Sequence, residues 1–171
     1  IVVPKKFLSY LSLYLSNEEV LLSVGETHMT ATINQDTIIS RTINEVFPDY
    51  ESVIPTDNNK ILKVDKNDIL GAIRRVSIFS NKSTHQVAFN ISKENFFIQT
   101  EDPESSSRAK EEIIGNYEGE EIIIGYNGEY LKDIISHVSG KEVVINLKTP
   151  ISATLFTGKN EEISKTMLLM P

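Results

Sequence analysis

The chain repeats one order of elements three times. A short strand-like run, a helical segment and three further strand-like runs begin near Ile1, again near Lys60, and again near Glu121. A recurrence of this kind marks one supersecondary unit used several times, and here it lies in pattern, not in residue identity. It predicts an α+β chain in which antiparallel sheets carry helices on one face. At two units per domain, the 171 residues make one half-domain followed by one whole domain.

The helices are read from apolar residues returning every three or four positions. Pro4 to Leu15 places Phe7, Leu8, Leu11 and Leu15 on one side, with Pro4 in the first turn. Lys66 to Ser80 follows Asp65 as N-cap and aligns Ile69, Leu70, Ile73 and Val76. Glu129 to Val138 follows Asn127-Gly128, aligns Tyr130, Leu131, Ile134, Ile135 and Val138, and stops at Gly140. Most of the rest alternates polar with Val, Ile, Thr and Phe, as strands do, and turns are signalled at Asn34-Gln35-Asp36, Lys93-Glu94-Asn95 and Gly158-Lys159-Asn160. Two prolines in Phe47–Pro55 interrupt any central strand and mark a connector. The expected domains are 1–55, connector included, and 56–171.

No apolar run reaches the roughly 18 residues of a membrane span. With no cysteine, disulfides, thiolate zinc sites and thiol nucleophiles are all excluded, and the expectation is a cytoplasmic protein. Ile1-Val2-Val3 starts inside a strand-like run with neither an initiator Met nor a signal peptide, and Met167–Pro171 stops without a polar tail, so the chain is expected to be cut at both ends.

Catalytic apparatus is missing from the pattern. His28, His85 and His137 have no second His or carboxylate three or four residues further on, and read as surface histidines. Gly125-Tyr126-Asn127-Gly128 lacks the lysine of a phosphate-binding loop and reads as a helix cap. Glu111-Glu112 and Glu120-Glu121 read as solvated strand edges. Asn81 and Asn90 head formal glycosylation triplets that carry no weight without a secretion signal. Neither a metal nor a cofactor is implied, and no enzyme is expected.

Charge is unevenly shared. The net charge is −7, yet the helical segments hold six basic residues (Lys5, Lys6, Lys66, Arg74, Arg75, Lys132) against three acidic ones (Asp68, Glu129, Asp133). The remainder holds 11 basic and 21 acidic residues. Solvated helix faces account for this segregation as readily as a phosphate-facing surface does.

Several motifs resemble a known family. Phe47-Pro48-Asp49-Tyr50 followed by Val53-Ile54-Pro55 is similar to the junction signature between the middle and last domains of bacterial DNA polymerase III beta subunits, the sliding clamps. Ile1-Val2-Val3-Pro4-Lys5-Lys6, Ser77-Ile78-Phe79-Ser80-Asn81, Ile124-Gly125-Tyr126-Asn127-Gly128-Glu129-Tyr130-Leu131 and Leu169-Met170-Pro171 resemble further family motifs in the family's order. The resemblance implies a DNA-clamp fold and a non-catalytic processivity factor, a homodimeric ring around duplex DNA. It also implies partners: the polymerase III alpha subunit, the clamp loader and repair factors, held by short linear motifs, with no membrane. Three sites follow by position. A peptide groove would use Pro48, Ser52, Val53, Thr84, Asn127, Tyr130, Ile151, Ala153, Leu168, Leu169, Met170 and Pro171, with a smaller and less cationic rim at Ser52 and Thr84 than in relatives. Val53, Ile151 and Leu168 read equally as core. Lys5, Lys6, Lys66, Arg74 and Lys132 would face DNA, whereas Arg75 is open to a neighbouring surface instead. Ile78 and Phe79 would pack against the first domain of the other subunit, and Glu104, Glu111 and Glu112 would face it as well, with core packing of one of Ile78 and Phe79 as the alternative. A free-standing α+β interaction domain without a DNA role is the other reading of the whole.

Overall fold

The computed structural model describes residues 1–15, 19–158 and 165–171, and the chain divides between Tyr50 and Glu51 into two compact units. The second half of the expected turn at Gly158-Lys159-Asn160 lies outside the described residues.

In the first unit, helix α1 (Lys5–Tyr14) packs on an antiparallel meander of β1 (Leu21–Val24), β2 (His28–Ile33) and β3 (Asp36–Arg41). Pro4 is the N-cap, one position before the helix, where its missing N–H costs nothing. Asn34, in the left-handed region at φ 54°, opens the two-residue turn between β2 and β3. The strand before α1 is reduced to one bridge, Val2 to Ile43. Met29, Ala31 and Ile33 alternate inward along β2 and meet Phe7 and Leu11. Leu8 and Leu15, expected on the buried stripe, are exposed. A three-stranded sheet covers only the narrow face bearing Phe7 and Leu11, and apolar periodicity does not reveal how wide a stripe the sheet can cover.

The second unit interleaves two repeats. The first runs β4 (Lys60–Asp65), α2 (Lys66–Ser77), β5 (Gln86–Ile91), β6 (Phe96–Asp102) and β7 (Ser107–Ile113); the second runs β9 (Ile122–Asn127), α3 (Gly128–His137), β10 (Glu142–Leu147), β11 (Thr154–Gly158) and β12 (Met167–Leu169). Each repeat's leading strand joins the other's meander: β4 pairs with β10, and β9 with β5. A further strand, β8 (Gly115–Glu118), was not in the expected order. It follows β7 after a break at Ile114 and pairs with β4, so the chain passes from one sheet to the other there. A Cβ on Gly115 would come 3.0 Å from Leu62 Cδ1 and 3.3 Å from the Lys63 carbonyl oxygen, so a side chain at this crossing would require its neighbours to shift. The sheets are β12-β11-β10-β4-β8 and β7-β6-β5-β9.

Both helices start on side-chain caps. Asp65 Oδ1 accepts from Asn67 N at 2.8 Å and Asp68 N at 3.2 Å; Asn127 Oδ1 accepts from Glu129 N at 2.9 Å and Tyr130 N at 3.4 Å. Such caps contribute about 1 kcal/mol each. The helices pack against one another. Lys66, at the start of α2, donates to the carbonyls of Ser136 and Val138 at the end of α3, so they run antiparallel. Helix α2 ends at Ser77, three residues before its expected limit. Beneath the helices one apolar cluster joins Ile69, Ile73, Leu131 and Ile135 to both sheets. Phe89, Phe96, Tyr126 and Phe156 form a chain of edge-to-face contacts through it at 5.1 to 6.3 Å. The Tyr126 hydroxyl is satisfied by Thr154 Oγ1 at 2.7 Å, and burial pushes its pKa up.

Candidate peptide-binding and interface sites

A complete core throws the remaining apolar residues into relief. Val53, Tyr130, Ile151 and Met170 are all exposed, Ile151 by 83%, although each is a residue type that a core would accept. The period of two along β12 explains the C-terminal part: Met167 and Leu169 turn inward to the cluster, while half-buried Leu168 and exposed Met170 turn out. Leu169, one of the residues expected in the groove, packs in the core for that reason. Val53, Ile151 and Leu168 do not belong to the buried cluster. Tyr130, expected on the apolar stripe of α3, is 64% exposed because Leu131 and Ile135 already fill the face that meets the sheets.

Local polar bonds fix the segments that carry these side chains. Asn58 Nδ2 donates to the carbonyls of Ala153 at 3.0 Å and Asn146 at 2.9 Å, strapping the chain that leaves Ser52 and Val53 to the strand ends around Ala153. Ala153 precedes Thr154, which stands opposite Leu169. Thr149 and Ser152 hydroxyls, 2.6 Å apart, brace the turn that bears Ile151. Asn127 Nδ2 reaches the Thr84 carbonyl at 3.3 Å, so these two residues expected in the groove are joined. Ser52, Thr84 and Pro171 are exposed. Pro48 is exposed in the first unit. A cavity of about 570 Å3 lies elsewhere, on the outer face of the four-stranded sheet between Gln86, Gln99, Arg108 and Lys110, and includes none of the groove residues.

A family model, DNA polymerase III beta subunit, C-terminal domain, matches residues 51–171. This chain belongs to the DNA polymerase III beta subunit family. Curated relatives include the beta sliding clamp of Pseudomonas putida, 31% identical over 157 residues that make up 91% of this chain and 42% of the relative, and that of Vibrio cholerae, 27% identical over the whole chain and 47% of the relative. A crystal structure of a Bartonella birtlesii sliding clamp bound to griselimycin superposes on the whole chain with a TM-score of 0.93 at 29% identity, over 46% of its own length. The Bacillus subtilis clamp gives 0.90 at 25% identity, covering 99% of this chain and 45% of that one. The chain thus spans less than half the length of the relatives it matches.

The residues expected at a subunit interface fall at the end of α2, in the β6–β7 hairpin turn and on β7. Ile78, the C-cap, and Phe79 are both exposed, Ile78 by 76%, and neither packs in the core. Glu104 and Glu112 are exposed. Glu111 behaves otherwise. Arg75 lies across Gly71 and donates Nε to Glu111 Oε2 at 3.0 Å and a second nitrogen to Oε1 at 2.5 Å, a bidentate clasp that holds the Glu111 carboxyl below the usual carboxylate range. The clasp takes up both Arg75, open in sequence to a neighbouring surface, and Glu111, expected to face another subunit.

The basic set divides similarly. Lys5, Lys6 and Arg74 are exposed. Lys66 is half-buried as the cap of α3, and Lys132 is paired with Glu129 at 2.6 Å. Glu120 and Glu121 lie in the turn before β9 and not on a strand, and Glu120 reaches Lys60 at 3.6 Å. His28 and His137 are exposed and His85 half-buried. His137 meets Asp133, four residues earlier, at 3.4 Å, and no third ligand joins them among the described residues. The Arg75–Glu111 clasp, the Lys66 cap and the Asn58 strap escaped the sequence reading because their partners stand 36 to 95 residues away. Asn58 alone left a local trace, as a polar residue in a connector just before a strand.

Proposed function

We propose that the chain is part of a sliding clamp, a non-catalytic processivity factor that encircles duplex DNA as a dimeric ring and holds polymerase and repair proteins by short peptides. One observation supports the groove above the rest: Val53, Tyr130, Ile151, Leu168 and Met170 stay outside a core that is already complete without them. Aliphatic walls with a methionine accept Leu and Phe side chains, while Asn127 and the Tyr130 hydroxyl give a peptide polar contacts. Leu169 supports that wall from beneath. Of the five expected DNA-facing residues, exposed Lys5, Lys6 and Arg74, which have no ion pair among the described residues, suit phosphate contacts, which are exchangeable and sequence-independent, as sliding requires. Exposed Ile78 and Phe79 suit a subunit contact.

The test is a fluorescence titration of the chain with a labelled peptide carrying Gln followed by Leu and Phe. Met170→Ala removes a contact of more than about 1 kcal/mol and weakens binding roughly fivefold to tenfold. Identical curves for the variant and the parent chain would overturn the assignment.

A further inference from the structure

Helix α2 ends on two exposed apolar residues, and something must hold them there. The backbone continues for one tight turn, with Phe79 N bonded to Val76 O at 3.0 Å and Ser80 N to Ser77 O at 3.2 Å. Asn81 follows, and its polar groups serve three segments. Its Oδ1 accepts from Ser83 N at 2.9 Å and Thr84 N at 3.2 Å, its carbonyl accepts from His85 N at 2.8 Å, and its Nδ2 donates to Asp102 Oδ1 at 3.1 Å. Asp102 is buried at the end of β6. It gathers the hairpin tip by accepting from Ser105 Oγ at 2.6 Å and Glu104 N at 3.3 Å; the side-chain bonds, from the Ser105 hydroxyl first and then the Asn81 amide, hold its carboxyl below the ordinary range. Ser107 closes the circuit. Its hydroxyl lies 2.6 Å from Ser105 Oγ and donates to the Phe79 carbonyl at 3.2 Å.

Two of the three non-glycine residues at positive φ among the described residues, His85 and Ser106, both at 52°, stand at the two edges of this circuit. Such conformations are disfavoured for residues with a Cβ and persist where the surroundings over-determine them. The circuit spans α2, the loop after it and the β6–β7 hairpin, all within one unit.

We propose that Asn81 and Asp102 are positioning residues: their side-chain bond ties the end of α2 to the β6–β7 hairpin and so presents Ile78 and Phe79 as a preformed contact surface. The purpose of that surface rests on reading it as a subunit contact. The tie itself does not.

The experiment is amide hydrogen exchange on the chain and on the reciprocal pair N81D, D102N and N81D/D102N. In N81D the carboxylate still caps Ser83 and Thr84 but opposes Asp102, so amides at 104–107 and 79–80 exchange about tenfold faster while those of 83 and 84 hold. The double variant restores a donor at 102 facing an acceptor at 81, and exchange returns to within about threefold of the parent. S107A is a milder variant that leaves the Asn81–Asp102 bond in place and removes the bond to the Phe79 carbonyl together with the contact to Ser105 Oγ, and its faster exchange is confined to 79–80 and 105–107. Should N81D fail to fold, the double variant and S107A still carry the test. Unchanged exchange in N81D and S107A, or a double variant as fast as N81D, overturns the proposal. A second arm measures binding to the amino-terminal domain of the Pseudomonas putida relative. Weaker binding of N81D, recovered in the double variant, supports a preformed surface, and equal binding of N81D and the parent overturns it. If I78A/F79A binds as well as the parent, the subunit-contact reading fails, and the exchange arm still decides the tie.

Discussion

Tyr130 and Ile135 are five residues apart on α3 and do opposite work, so replacing each with alanine separates site from fold. The Ile135 side chain is completely buried in the cluster beneath the helices. Its truncation loses transfer free energy and leaves a cavity, about 2 to 5 kcal/mol together. At a few degrees per kcal/mol for a domain of this size, the melting temperature falls by roughly 6 to 20 °C. Tyr130 is 64% exposed, and alanine is the better helix former, so Tyr130→Ala stays within about 0.5 kcal/mol of the parent in stability. If its ring is a wall of the groove, the same change costs about 2 kcal/mol in peptide binding, roughly 30-fold. Calorimetric melting reads the first quantity and isothermal titration the second. The reasoning is refuted if Tyr130→Ala melts as low as Ile135→Ala, or if it binds peptide as the parent does.

Removing the Tyr126 hydroxyl as Phe leaves Thr154 Oγ1 buried without its 2.7 Å partner, and denaturant unfolding is expected to show a loss of about 1 to 3 kcal/mol. Lys66→Met frees the Ser136 and Val138 carbonyls at the end of α3 and lowers stability by about 1 kcal/mol in the same assay. In acid, Asp57, Asp102, Glu111 and Glu129 all have pKa values held below their ordinary 3.8 and 4.5, mainly by hydrogen bonds to Lys148, Ser105, Arg75 and Lys132 respectively. A lowered folded pKa means that the unfolded chain binds the proton first. The stabilisation is complete above these ordinary values and is lost as pH falls below about 4.5 and through the folded values. A melting temperature that is flat between pH 6 and 3 would contradict this.

The parts of the fold legible in sequence were those set by near neighbours. Asp65 and Asn127 announce their helices because a cap bonds amides two and three residues on. The repeat order followed from alternating and helical periods. Strand β8 escaped because a strand that changes sheets at Ile114–Gly115 reads as a continuation of the one before it. Exposed Leu8 and Leu15 show the limit of periodicity, which identifies a face but not its covering. In the candidate site, Tyr130 and Met170 were named within family motifs and Ile151 by position in the family, and their exposure adds a physical reason to set them apart from the core. That Leu169 packs in the core while Leu168 does not is a matter of strand parity, which requires the register with Thr154. The bonds that Lys66 and Glu111 make within the fold left no sign in the sequence because their partners are 70 and 36 residues away.

The central claim, that an exposed apolar set beside a finished core receives Leu- and Phe-bearing peptides, is tested most directly by mapping such a peptide on the isotopically labelled chain by NMR. The account predicts saturable shifts at 52–53, 127–130, 151–153 and 168–171, with the outer sheet face between Gln86 and Lys110 undisturbed. Shifts confined to that face, or none at saturating peptide, would contradict it.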